Sequence, residues 1–184
     1  MAAVAILVAG FLVSLVAFEW GVRVGGLGLI GLAIWLFMND VARRTIRRTG
    51  LTRFIAACLL PGYVWMAAGG LLWLTQAQLF VGGMLYDAML HTLFLGFVFS
   101  MIFGHAPIIV PAVVNVEMHY APRFYVHLLL LHASLALRVA GDLTYSPLLQ
   151  QWGGLLNVCA ILLFLANTVL SIHRQPKCVV APVG

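Results

Sequence analysis

The sequence predicts an all-α integral membrane protein, a bundle of six transmembrane helices with both termini on the cytoplasmic side. Hydrophobic residues make up 64% of the 184-residue chain and charged residues 8%, against about 45–50% and about 25% in soluble domains. Several apolar runs reach the roughly 20 residues that a bilayer core requires. Helices satisfy their own backbone hydrogen bonds in lipid, and segments of alternating polarity are absent from the sequence.

Three helices account for the first half of the chain, at about residues 2–18, 24–38 and 54–74. The first lacks the positively charged stretch that opens a secretory signal, so we interpret it as a retained helix. Glycines make the second helix suited to close helix packing. Pro61 predicts a kink in the third helix, because proline removes a backbone hydrogen bond.

Three more helices follow, at about residues 85–106, 124–140 and 149–172. The fourth helix has an alternative end at residue 114, because Pro107 and Pro111 can each terminate a helix or only bend it. No internal repeat or linker divides the sequence. Residues 1–184 are therefore predicted to form a single transmembrane domain.

Basic residues predict the orientation of this bundle. Five arginines lie between the second and third helices, namely Arg43, Arg44, Arg47, Arg48 and Arg53. An excess of Lys and Arg marks cytoplasmic loops, which puts this segment and both termini inside. The same pattern accounts for the net charge of +5, so the charge does not indicate a nucleic-acid partner. The expected surroundings are the lipid bilayer.

Four histidines lie inside predicted helices: His91, His105, His127 and His132. An unpaired ionisable group inside a bilayer is costly, so each histidine is a candidate haem-iron or metal ligand. The competing interpretation is a neutral imidazole hydrogen-bonded to another helix. His91 and His105 are 14 residues apart, which returns almost to one helix face about 21 Å along the axis. His127 and His132 are five residues apart, so their helix cannot direct both to one site.

How these residues pair depends on where the fourth helix ends. If it continues to residue 114, His105 and His132 lie equally far from the following turn, and a bis-histidine haem can bridge them. If it ends near residue 106, His91 lies level with Arg138. The forked guanidinium of Arg138 then suits a haem propionate. The alternative partner of Arg138 is Asp142, four residues further along its own helix.

Two further features of the fourth helix bear on function. Asp87 precedes His91 by four residues, so it is a candidate to orient the imidazole or to relay a proton. Its alternative role is that of an acidic residue stabilised by the helix N-terminus. Gly96, Ser100 and Gly104 form a stripe of small residues on the side away from His91, which predicts a helix-packing face.

The fourth helix also carries the motif H-x4-GF…M-I-x-G…P, at His91, Gly96, Phe97, Met101, Ile102, Gly104 and Pro111. The preceding segment contributes Trp35, Leu36, Asp40, Arg43, Arg44, Gly62, Tyr63 and Trp65. This part of the chain resembles haem-copper oxidase subunit I-like proteins, including the NnrS-type membrane proteins. The resemblance implies that His91 ligates haem b, in a multi-pass protein of the bacterial cytoplasmic (inner) membrane.

The chain differs from that family at the site that reduces oxygen or nitric oxide. A second metal there needs further histidines, and this sequence has no HPEVY-like, His-His or His-x-His element and about half the helices of a full catalytic subunit. We therefore expect no complete catalytic site. The expected function is electron transfer or nitrogen-oxide and respiratory metabolism, together with other membrane subunits.

Two other functions fit the sequence. The chain can be a cofactor-free structural or assembly subunit that docks on a partner through its glycine stripes. It can also be a proton or metal transporter that uses Asp87, His91 and His105, which requires a water-filled path across the membrane.

Overall fold

The computed structural model describes residues 1–173, and within them the fold is all-α, as predicted. The elements are α1 (Ala2–Ser14), α2 (Phe18–Asn39), α3 (Ala42–Thr45), α4 (Gly50–Thr75), a 3-10 turn (Ala77–Leu79), α5 (Met84–His91), a π-helical segment (Thr92–Val98), α6 (Phe99–Val114), β1 (Glu117–Met118), α7 (Phe124–Leu143), α8 (Pro147–Leu170) and β2 (Ile172–His173). The two short strands pair antiparallel. The predicted position of the C-terminus falls outside the described residues.

Five helices of the described chain are long and apolar enough to cross a membrane: Phe18–Asn39, Gly50–Thr75, Met84–Val114, Phe124–Leu143 and Pro147–Leu170. The chain is therefore a membrane protein whose apolar helices contact lipid. The first predicted span is shorter than expected, because α1 has 13 residues. That is about 20 Å of helix, against a hydrocarbon core of about 30 Å.

Close backbone contact joins α1 to α2. A Cβ atom on Gly10 would lie 2.5 Å from the backbone nitrogen of Gly25, so only glycine fits there. The second helix begins at Phe18 rather than near residue 24, and Arg23 is therefore helical. Its guanidinium donates to the carbonyl oxygen of Leu74 at 3.0 Å and thereby satisfies one of the unpaired carbonyls at the end of α4.

The predicted stripe of small residues packs against α4, which confirms it as a helix-packing face. The two helices run antiparallel with a regular register, in which a Cβ atom added to a glycine would press on the opposite side chain. The facing pairs are Thr92 with Gly69, Gly96 with Trp65, Ser100 with Gly62, and Gly104 with Leu59. The stripe is therefore buried inside the chain and is not available to a partner protein.

A π-helical segment interrupts this helix directly after His91. Hydroxyl groups support it at both ends, since Thr92 donates to the carbonyl oxygen of Ala88 at 2.9 Å and Ser100 to that of Gly96 at 2.6 Å. A π turn contains one residue more than an α turn, which changes the phase of the following residues by about 100°. The predicted common face of His91 and His105 is therefore wrong.

The helix then continues through Pro107 and Pro111 and ends at Val114. Asn115 terminates it in a left-handed conformation, with φ of 49°, as Asn often does at a helix C-terminus. Of the two ends that the sequence left open, the structure therefore has the longer one.

The connections define two ends of the bundle. The arginine end carries the arginine-rich segment between α2 and α4, the β1–β2 pair and a hydrogen bond of 2.8 Å from Arg123 to the hydroxyl of Ser171. The far end carries the α4–α5 connection and the α7–α8 turn.

Candidate functional site

Polar side chains from three helices meet at the far end. Asp87 and His91 come from α5, Arg138 and Asp142 from α7, and Gln150 from α8. We call these five residues the far-end cluster. Because α5 packs against α7 and α7 against α8, the cluster connects all three helices at one level.

Asp87 fixes the imidazole of His91, as the spacing of four residues predicted. The Nδ1 atom of His91 lies 2.8 Å from the backbone carbonyl oxygen of Asp87 and 3.2 Å from its carboxylate Oδ1 atom. Both oxygens can only accept, so Nδ1 carries the proton and donates it. In the neutral ring the lone pair then lies on Nε2, which has no hydrogen-bond partner within residues 1–173 and is not among their buried unpaired atoms.

Arg138 holds the other side of the same carboxylate. Its Nη2 and Nε atoms donate to Asp87 Oδ2 at 2.6 Å and 3.1 Å. The side chains of Arg138 and Asp87 are 18% and 27% exposed, so the pair is largely shielded from solvent. Asp142, the residue that the sequence suggested as a partner of Arg138, forms no ion pair with it and instead accepts a hydrogen bond of 2.8 Å from the amide nitrogen of Gln150.

Two glycines of α8 make room for Arg138. A Cβ atom on Gly153 would lie 2.6 Å from the Cα atom of Arg138, and one on Gly154 would overlap its Nη1 atom. Gly153, Gly154 and Gln150 were missed in the sequence. The signal that could have found them is the Gly-Gly pair in an apolar helix next to an arginine-bearing one, since small residues mark close helix contacts.

His105 repeats the local arrangement of His91. Its Nδ1 atom donates to the carbonyl oxygen of Met101 at 2.7 Å, which leaves Nε2 as the acceptor. The two histidines nevertheless form no common site. They are separated by 14 residues, about 21 Å along a helix, and by the π-helical segment.

In His132 the donor and acceptor roles of the two ring nitrogens are reversed. The indole nitrogen of Trp65 donates to its Nδ1 atom at 3.1 Å, so in the neutral ring Nε2 carries the proton. That atom is buried without a partner in the described residues. An imidazole of this tautomer presents an N–H group, which is a hydrogen-bond donor and not a metal ligand.

The predicted equal depth of His105 and His132 is wrong. Trp65, to which His132 is bonded, packs on Gly96, whereas the ring of His127 lies 4.9 Å from that of Phe103. His127 is therefore the α7 histidine closest to the level of His105. The reason is the connection at residues 115–123, which includes β1 and is longer than a tight turn.

His127 is a buried structural histidine, the alternative that the sequence left open. It is 1% exposed, and its Nδ1 atom lies 3.2 Å from the amide nitrogen of Asn167 on α8. Aromatic rings surround it, with centroids 4.9 to 6.0 Å away: Phe54, Phe103, Phe124 and Phe164. Among the described residues, the imidazole thus ties α7 to α4, α6 and α8.

The chemistry of these histidines and their partners suits a single axial ligand to a haem iron. No group of three or more His, Cys, Asp or Glu side chains in the described residues could hold a metal ion. An iron already held by a macrocycle needs only one or two protein ligands, and a protonated Nδ1 fixed by carbonyl and carboxylate oxygens is the usual support of a ligating histidine. His91 fits that role.

Comparison with known proteins adds one finding. The family model described as "Domain of unknown function (DUF8744)" matches residues 1–173. No curated protein matches the chain, and no solved structure matches it.

Proposed function

We propose that this chain, which belongs to the family described as a domain of unknown function (DUF8744), is a haem b-binding membrane protein that acts in electron transfer or nitrogen-oxide metabolism within a larger respiratory complex. One observation carries the proposal. His91 is fixed through Nδ1 by Asp87, and its open Nε2 atom is on a side chain that is 25% exposed.

The far-end cluster supplies what a ligating imidazole requires. A hydrogen bond from Nδ1 to a carboxylate sets the tautomer and the ring orientation, and it raises the basicity of Nε2. Arg138 keeps the Asp87 carboxylate in place, because two of its nitrogens donate to one carboxylate oxygen. Bound haem b would supply one-electron chemistry at a potential set by its axial ligands, burial and nearby charge.

The resemblance of the His91 helix to haem-copper oxidase subunit I-like and NnrS-type proteins supports the same assignment. We propose that only the haem role of His91 carries over, because residues 1–173 offer no cluster of further histidines for a second metal. His132 presents an N–H group, His127 is buried among aromatic rings, and His105 is too distant to share an iron with His91. A second axial ligand would therefore come from another subunit, which agrees with the proposed place in a complex.

We further propose six spans with both termini cytoplasmic, in the bacterial inner membrane. The side chains of Met1 and Trp35 line one cavity at the N-terminus of α1, and Trp35 precedes the end of α2 at Asn39 by about one helical turn. The short α1 would thus reach almost to the level of the arginine end. That end bears the arginines that favour a cytoplasmic location.

The alternative functions have less support. A docking role for the glycine stripe is weakened by its burial against α4. A transporter using Asp87, His91 and His105 would need these groups along one path, whereas the π-helical segment turns His105 away from the face that carries Asp87 and His91.

Absorption spectroscopy of the purified protein tests the haem proposal. We expect a Soret band that is lost in His91→Ala and retained in the matched variant His105→Ala, since both remove an imidazole bonded to a carbonyl four residues earlier. A purified protein without a Soret band, or a band unchanged in His91→Ala, would contradict the proposal.

A further inference from the structure

A basic cavity of about 600 Å³ lies at the arginine end, in the segment that joins α2 to α4. Arg43, Arg44 and Arg47 line it together with Asp40 and the apolar side chains of Met38 and Val41. Three arginines and one aspartate give the lining a formal charge of +2. The cavity therefore attracts anions.

The arginine side chains of this cavity have few hydrogen-bond partners, whereas each carboxylate oxygen of Asp40 accepts a hydrogen bond. Asp40 accepts a hydrogen bond of 2.6 Å from the hydroxyl of Tyr63 and one of 2.7 Å from the backbone nitrogen of Ala42. Arg43 donates to the carbonyl oxygen of Met38 at 3.2 Å. Within residues 1–173, Arg44 and Arg47 make no ion pair and no side-chain hydrogen bond. Their guanidinium groups are free to bind an anion.

Two adjoining apolar grooves lie on the surface of the bundle, and the first of them continues from the basic cavity. The first, of about 260 Å³, lies between α2 and α4, and Met38 lines both it and the basic cavity. The second, of about 510 Å³, extends along α4 to Trp65. Phe37 and Val64 line both grooves and are 41% and 59% exposed. These two side chains form an exposed ridge with an apolar groove on either side.

We propose that this surface binds one anionic diacyl phospholipid, with its phosphate against Arg44 and Arg47 and its two acyl chains in the grooves beside Phe37 and Val64. Guanidinium groups match phosphate oxygens in a forked geometry. Basic pockets at the membrane surface between transmembrane helices select anionic headgroups. A free phosphate would use the basic cavity alone, whereas the shared Met38 connects that cavity to the first groove, which has almost no polar surface and adjoins the second along Phe37 and Val64. The site is independent of the far-end cluster and of haem.

Lipid binding to the intact, delipidated protein in detergent tests the charged half of the site. The probes are dioleoyl-phosphatidylglycerol and dioleoyl-phosphatidylcholine, which differ only in the headgroup, followed by native mass spectrometry. Arg44→Gln with Arg47→Gln removes two charges that line the cavity. The control Arg48→Gln with Arg53→Gln removes two nearby charges that do not line it, one in the same connection and one in the first turn of α4. We expect preference for phosphatidylglycerol and a loss of about fivefold per lining arginine, with less than a twofold loss in the control. Equal binding of both lipids, or equal losses in both double variants, would overturn the site.

A second experiment tests the apolar half. Ala67→Phe fills the first groove and leaves every arginine in place, and Ile34→Trp does so from the exposed side of α2, where the native side chain is 53% exposed. We expect each to weaken dioleoyl-phosphatidylglycerol binding by about tenfold while the thermal unfolding midpoint stays within a few degrees. Glycerophosphoglycerol, the headgroup without acyl chains, should compete only at far higher concentration. Unchanged lipid binding in the variant that stays folded, or full competition by the headgroup, would show a site for small anions and not for a lipid.

Discussion

Arg138 donates from two of its nitrogen atoms to a single carboxylate oxygen of Asp87, at 2.6 Å and 3.1 Å, while the other oxygen and the backbone carbonyl of Asp87 receive His91. The ion pair therefore joins α5 to α7 and orients an imidazole at the same time. Removing either charge should weaken both the link between α5 and α7 and the orientation of the imidazole. The two effects can be measured separately.

The stability role is tested by a double-mutant cycle on Asp87→Asn and Arg138→Gln. Each single change leaves a shielded charge without its partner, which should lower the free energy of unfolding by about 1–3 kcal/mol. The double variant should be less destabilised than the sum of the single variants, with a coupling of at least about 0.5 kcal/mol. Unfolding in mixed detergent micelles measures it. Additive losses would mean that the pair contributes nothing as a pair.

The orienting role is tested by haem affinity, and it rests on the proposed function. Asp87→Asn keeps His91 and the backbone carbonyl but weakens the carboxylate acceptor, so haem affinity should fall by about 10- to 100-fold. Asp40→Asn, which changes a carboxylate at the opposite end of the bundle, should leave the affinity unchanged. Haem titration of the apoprotein measures both. An affinity that falls equally in the two variants would indicate general destabilisation.

The close contact between Arg138 and the glycines of α8 gives a third prediction. In Gly153→Ala the new Cβ atom would meet the backbone of α7 at 2.6 Å, so the helices must separate, at a cost of about 1–3 kcal/mol. The control is Gly31→Ala, where the nearest atom is the Cβ of Ala3 at 3.5 Å, an ordinary contact. That change should be neutral or slightly stabilising, because alanine favours helix. The thermal unfolding midpoint should therefore fall in Gly153→Ala and stay unchanged or rise slightly in Gly31→Ala.

The buried stripe gives a fourth prediction. Gly96→Leu would drive a side chain into Trp65 and should destabilise the isolated protein, not merely a complex. Ile102→Leu, on the same helix at a side chain that is 43% exposed, should be nearly neutral. An isolated Gly96→Leu protein as stable as the native one, but unable to join its complex, would favour the structural-subunit function instead.

The sequence predicted those features that depend on local spacing or composition. The all-α membrane fold follows from the amount of apolar sequence, and the bond from His91 to Asp87 follows from a spacing of four residues. The packing of Gly96, Ser100 and Gly104 on α4 follows from their regular spacing. Each of these can be derived without knowing which helix lies next to which.

Features that depend on helix depth and pairing could not be predicted in this way. The partner of Arg138 lies on another helix, 51 residues away, and residues 115–123 shift α7 by an amount that no local pattern records. The π-helical segment is equally hidden, because Thr92–Val98 is an apolar run like the α-helical sequence that follows it. The face of His105 was therefore predicted from an uninterrupted periodicity that the chain does not keep.

That segment means that the chain contains one residue more than a plain α-helix needs between His91 and the two prolines. Deleting any one residue from Thr92–Val98 would let the helix close into regular turns, and would rotate everything from Phe99 onward by about 100° relative to α5. The stripe of small residues and the far-end cluster could then no longer face their present partners, α4 and α7, at the same time. A single surplus residue thus sets the rotational phase between the half of the helix that carries the far-end cluster and the half that enters the arginine end.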